Sequence, residues 1–226
     1  MSRLLQLSKK HRAPLLAFFA ASALLTVAYA IFGISPFGKH SVLVLDLAGQ
    51  YVYFFEALWE AIRGDGSLLY SLARPLGGEF LGMVAYYLAS PFSLLVLLFP
   101  KENITAAVWL ILLLKTGASA TTAAIYLKRH ARRLPTALTV ALSVAYALSG
   151  FAMAYQSNTM WADAWILLPL VVLGLERLMD QKGFLLYTVT LTLTFITNYY
   201  MGYMVAGFCV LYFLYYLIAS PRINKQ

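Results

Sequence analysis

Apolar residues run along this chain in long unbroken blocks, separated by short joints rich in charge, Gly and Pro. The blocks lie at 13–34, 104–127, 135–155, 164–178, 184–198 and 201–219. About 20 apolar residues in a helix cross the roughly 30 Å hydrocarbon core of a bilayer. The period-two alternation of a membrane-barrel strand is missing from these blocks. The pattern therefore predicts an all-α, polytopic helical membrane protein. A seventh run, 83–99, is short and carries Ser90-Pro91 at its centre, where Pro removes a helix hydrogen bond and kinks the chain.

The stretch Ser35 to Gly82 is the most polar part. Within it, 46–62 reads as an amphipathic helix, with Leu47, Tyr51, Phe54, Phe55, Leu58 and Ile62 recurring at spacings of three and four. Gly64-Asp65-Gly66 ends that helix, and Arg74-Pro75-Leu76-Gly77-Gly78 is a second break.

Composition agrees with the pattern. Of 226 residues, 62% are apolar and 12% charged, against about 25% charged in ordinary soluble domains. So little charge cannot cover a soluble fold of this size. A soluble enzyme, a disordered chain and a disulfide scaffold are excluded. The lone Cys209 lies inside an apolar run and reads as a packing residue.

Lys and Arg outnumber Asp and Glu by 17 to 9. In a soluble protein this excess would suggest nucleic acid; here it sets orientation, and no nucleic-acid partner is expected. Suppose the N-terminus is cytoplasmic and 83–99 does not span. The cytoplasmic side then holds Arg3, Lys9, Lys10, Arg12, Lys128, Arg129, Arg132, Arg133, Arg177, Lys182, Arg222 and Lys225. The outer side holds Lys39, Arg63, Arg74 and Lys101. If 83–99 spans, most of these positions change sides and the positive-inside rule is violated. The expectation is six spans, both termini cytoplasmic, and one extracytoplasmic loop over about 35–103 that contains interfacial helices. The first run is too long for the core of a cleaved signal peptide, although Ala28-Tyr29-Ala30 resembles a cleavage site.

This topology gathers three polar and aromatic clusters at the outer face: Asp46 with Gln50 and Tyr51, the segment Asn158 to Asp163, and Asn198-Tyr199-Tyr200. Each has a plainer reading. Asp46 and Asp163 suit helix N-caps, and the aromatic residues suit an interfacial belt. Lys115 is different, because it sits about 16 Å into its helix. A charge at that depth costs at least about 2.5 kcal/mol and marks a candidate functional site. Its partner is an acidic side chain or a lipid phosphate. No phosphate-binding loop, dinucleotide fingerprint, HExxH or CxxC is present, and His11, His40 and His130 are scattered.

A set of motifs then carries a family resemblance. They are Asp46-Leu47-x-x-Gln50-Tyr51 followed by Phe54-Phe55, Ala85-Tyr86-Tyr87-Leu88-x-Ser90-Pro91-Phe92 and Leu113-Leu114-Lys115. Tyr146-Ala147-Leu148-Ser149-Gly150, Met160-Trp161-x-Asp163-Ala164 and Asn198-Tyr199-Tyr200-x-Gly202-Tyr203 complete it. Over about residues 10–220 the chain resembles the YfhO-like bacterial membrane protein family, itself similar to the GT-C integral-membrane glycosyltransferases.

The resemblance implies transfer of a sugar from a polyprenyl-phosphate donor to a cell-envelope polymer such as teichoic acid. It makes Asp46 the catalytic acid, as general base or as ligand of a divalent cation. Charge and membrane side add Gln50, Tyr51, Arg74, Lys115, Asp163, Asn198, Tyr199 and Tyr200 as substrate contacts. Family members are longer, so the resemblance implies one transmembrane domain that is the N-terminal part of a larger architecture. Where they read Gly-Leu-Gly-x-Asn-Phe, this chain has Pro75-Leu76-Gly77-Gly78-Glu79-Phe80. Two other classes stand beside the enzyme: a non-catalytic subunit that binds the lipid carrier and needs a second membrane partner, and a lipid-linked sugar flippase suggested by Lys115.

Overall fold

The computed structural model describes residues 2–64, 66–71, 77–131 and 133–219. It is all-α apart from one two-residue antiparallel pair, β1 (Tyr70–Ser71) with β2 (Gly78–Glu79). The helices are α1 (Ser2–Ile31), α2 (Val52–Arg63), α3 (Leu81–Met83), α4 (Ile104–His130), α5 (Thr136–Ala147), α6 (Gly150–Ala154), α7 (Ala162–Met179), α8 (Leu185–Thr197) and α9 (Tyr199–Ala219). α4 is central, with α1, α5 and α7 packed on it. α8 lies against α7, and α9 covers both.

On α1 the packing is inverted relative to a helix of a soluble bundle. α1 buries Ala13, Ala17, Ala21 and Leu25, one turn apart, and exposes Leu15, Leu16, Phe19, Leu24, Val27 and Ile31. In lipid, large apolar side chains gain nothing by leaving the surface, and small residues let helices approach closely. Gly117 of α4 fits this logic: a Cβ there would meet Ser22 Oγ of α1 at 2.6 Å. Several buried hydroxyls are satisfied by their own helix. Thr190 and Thr194 of α8 donate to carbonyls four residues back, at 2.7 and 2.8 Å, as does Ser143 of α5 at 2.7 Å.

Among the described residues, four helical stretches are long and apolar enough to cross a membrane: Arg12–Ile31, Lys101–His130, Thr136–Ala154 and Tyr199–Ala219. The run at 83–99 forms two helices, Leu81–Leu88 and Pro91–Leu98, bent by 101° about Ser90; counted as one broken span it makes five. The sequence expectation of six includes α7 and α8. α7 carries Asp163, Glu176 and Arg177 within its 18 residues. α8 has 13 residues, about 20 Å at 1.5 Å per residue, short of the roughly 30 Å core. The run 135–155 is itself broken: α5 stops at Ala147, and Ser149 caps α6 by accepting from Ala152 N at 3.4 Å.

Candidate functional site

The chemistry-bearing residues collect at one end of the bundle, where α1 ends and α4, α7 and α9 begin. The segment entering α2 starts from Leu45, whose φ of 52° is left-handed. Such a conformation costs a β-carbon-bearing residue about 1–3 kcal/mol, and strain of this kind gathers at functional sites. Next comes a π-helical turn, Leu47–Tyr51, that runs directly into α2. A second π-helical turn, Val84–Leu88, follows α3. These wide turns are uncommon and frequent at functional sites. Here they face each other: the Tyr51 and Tyr87 rings are 5.4 Å apart, and Phe54 and Tyr87 are 4.9 Å apart.

Asp46 stands at the mouth of this arrangement. It occupies the N-cap position without making a side-chain cap bond, and it is exposed. Its Oδ2 faces the Tyr51 hydroxyl at 3.4 Å, and that same hydroxyl lies 3.3 Å from Asn158 Oδ1. The phenol has one proton to give, so the two acceptors share it. Burial, then the neighbouring Asp46 charge, push the Tyr51 hydroxyl up to about 12. It is therefore a fixed donor at neutral pH. Gln50 is exposed beside Asp46.

Beneath this rim lies an ion pair. Lys115 Nζ is 2.6 Å from Asp163 Oδ2, with both side chains almost fully buried. The ammonium also donates to the Thr159 carbonyl at 2.8 Å and sits 5.6 Å from the Phe92 ring centre. Ser90, at the bend between the two halves of 83–99, donates to Asp163 Oδ1 at 2.8 Å. Asp163 is thus engaged on both oxygens and is not the helix cap that its position suggests.

The remaining expected contacts divide. Asn198 is fully buried; its Oδ1 accepts from Met201 N at 2.9 Å, starting α9, and its amide donates to the Tyr86 carbonyl at 3.1 Å. Tyr199 packs on Tyr86 at 5.3 Å, and Tyr200 lies 5.9 Å from Trp161. Contacts therefore run from Asp46 through Tyr51, Tyr87 and Tyr86 to Tyr199. Lys115 and Asp163 form a separate, deeper pair. Arg74 lies outside the described residues. Among the described residues no group of three or more His, Cys, Asp or Glu can hold a metal. Asp46 is a single carboxylate, so the divalent-cation role finds no ligand set among them.

Sequence reasoning missed Gln156 and Trp165. With Lys115 and Trp161 they line a partly open cavity of about 40 Å³. Trp165 is held from two sides. Pro169 cannot donate to the carbonyl four residues before it, and the Tyr146 hydroxyl takes that Trp165 carbonyl at 2.7 Å while its ring stacks on the indole at 4.4 Å. Pro169, four residues on, was the available signal that the Trp165 carbonyl needs a donor from elsewhere.

Fold, apolar surface and buried charge together define a multi-pass helical membrane protein. The family model of bacterial membrane protein YfhO matches residues 17–226, and the chain belongs to that family. It is similar to the "Uncharacterized protein YfhO" of Bacillus subtilis (strain 168), with 23% identity over 239 aligned positions. The alignment covers 92% of this chain and 25% of that protein, so the chain spans about a quarter of its relative's length. No solved structure matches.

Proposed function

We propose that the protein acts as a membrane glycosyltransferase, or as the carrier-binding part of one. In this reading it moves a sugar from a polyprenyl-phosphate donor to an envelope polymer such as teichoic acid. The observation that carries the reading is Asp46: an exposed carboxylate set by a strained residue and a π-helical turn, beside a fixed phenol donor. A carboxylate within hydrogen-bond reach of an acceptor hydroxyl takes its proton as the oxygen attacks the anomeric carbon. The carrier phosphate leaves with the bonding electrons. The Tyr51 proton, shared with Asp46, holds the carboxylate in place.

Orientation belongs to the same proposal. Six spans with both termini cytoplasmic place Asp46 at the outer face. Lys128, Arg129, Arg133, Arg177 and Lys182 then lie at the cytoplasmic end, as the positive-inside rule requires. α7 and α8 complete the six, with α7 keeping Asp163 neutralised by Lys115. In a strain lacking the native gene, the wild-type chain restores polymer glycosylation and Asp46→Asn does not. Equal restoration by both would refute the catalytic role.

A second reading, a non-catalytic subunit holding the lipid carrier for another membrane protein, is favoured by the cavity beside Lys115. Co-purification of a second polytopic chain supports it, and full activity of the isolated chain removes it.

A further inference from the structure

Four buried side-chain nitrogens among the described residues have no hydrogen-bond partner: Trp109 Nε1, Gln156 Nε2, Trp161 Nε1 and Trp165 Nε1. The last three belong to residues lining the one cavity beside Lys115. Native interiors leave few buried polar groups unmet, and each exception asks for an explanation. All of these atoms are donors. Two of the lining hydroxyls already give their protons away, Thr116 to the Leu112 carbonyl and Ser119 to the Lys115 carbonyl, each at 2.9 Å; the third belongs to the exposed Tyr155. Gln156 is oriented by Tyr29, whose hydroxyl donates to Gln156 Oε1 at 2.9 Å and leaves the NH2 end unmatched. Lys115 spends two of its three protons on Asp163 and Thr159. Asp163 is tied on both oxygens and neutralised, so its charge opposes an incoming anion weakly.

We propose that this cavity receives a phosphate-type oxoanion, held by the N–H groups of Gln156, Trp161 and Trp165 beside the Lys115 ammonium. Such a group offers acceptors only, which is what the three unmet N–H groups lack. The cavity has room for more than one water, which needs about 10–15 Å³ by the same measure. The rest of the ligand lies outside it. A lipid phosphate and free phosphate share this chemistry. The lipid source rests on the transfer reading given above; the oxoanion site itself does not.

The test is equilibrium binding to the purified full chain in phosphatidylcholine nanodiscs. Labelled polyprenyl monophosphate is the probe, and inorganic phosphate and dephosphorylated polyprenol are the competitors. Trp161→Phe and Trp165→Phe keep the ring and remove one N–H each, and Gln156→Leu removes the amide. Each variant is expected to weaken probe binding about 10-fold or more with unchanged helicity and elution. Polyprenol should compete poorly. Competition by millimolar inorganic phosphate would identify the headgroup alone as the ligand, and its failure would assign the lipid form. Polyprenol competing as well as the phosphate, or Phe variants binding like wild type, would overturn the site and leave the cavity to water. Binding without sugar transfer would uphold this inference and count against the transferase reading.

Discussion

Lys115 and Asp163 meet 48 residues apart in sequence, and each makes the other tolerable inside the bundle. Removing one partner of a buried pair leaves an uncompensated charge and costs about 3–5 kcal/mol, whereas replacing both by apolar residues is often neutral or stabilising. Lys115→Met alone should lower the thermal midpoint in detergent sharply, and Lys115→Met with Asp163→Leu should recover most of the loss. A double variant as unstable as the single would mean the pair is not the source of the cost.

Tyr51 gives a second residue-scale test. Its hydroxyl pKa is raised, to about 12, by burial and the Asp46 charge. An unfolded tyrosine ionises near 10, so the Tyr51 contribution to stability is complete below about pH 10. It is lost as pH rises towards 12. The difference between wild type and Tyr51→Phe in a spectrophotometric titration should show a group ionising near 12; a group near 10 would contradict the burial. At this scale the sequence is informative about need and silent about supply. Lys115 is visible as a charge deep in an apolar run. Its pairing with Asp163 depends on how α4 and α7 are rotated, which periodicity does not fix. Gln156 and the two indoles are hidden because their significance lies in partners they lack.

Among the elements, breaks matter more than helices. The Pro in α7 would leave the Trp165 carbonyl unpaired, and Tyr146 from α5 supplies the missing proton. Tyr146→Phe should cost about 1–3 kcal/mol by thermal unfolding. Adding Pro169→Ala restores an in-helix donor and should return most of that cost. Additive losses in the double variant would show that the two residues are not coupled. The bend at Ser90-Pro91 and the helix over 46–62 were readable from Pro and from spacing. The split of 135–155 into α5 and α6 was hidden: Ser149-Gly150 is its signal, and the apolar run on either side outweighs it. The two π-helical turns have no periodicity of their own and were equally invisible.

For the whole molecule, orientation is the open quantity with the widest consequences. The proposed orientation has 35–103 outside and both termini inside. Single cysteines at Ser41 and Ser67, in a chain with Cys209→Ala, should react with an impermeant maleimide on intact cells. A cysteine at Lys182 should react only after lysis. The reverse pattern would move Asp46 to the cytoplasm, away from an outer-leaflet acceptor. The all-α membrane class was legible from block length and from how little charge the chain carries. The number of spans was less so, because α7 is charged and α8 is short, and each is judged by its neighbours rather than by its own hydropathy.

The most direct test of the account is sugar transfer by the purified chain in nanodiscs, with radiolabelled polyprenyl-phosphate sugar as donor and crude teichoic acid as acceptor. Wild type should label the polymer, while Asp46→Asn should bind the donor as well and label it at least about 100-fold more slowly, the scale of a lost general base. Equal labelling by the two proteins would contradict the assignment of Asp46 as the catalytic carboxylate.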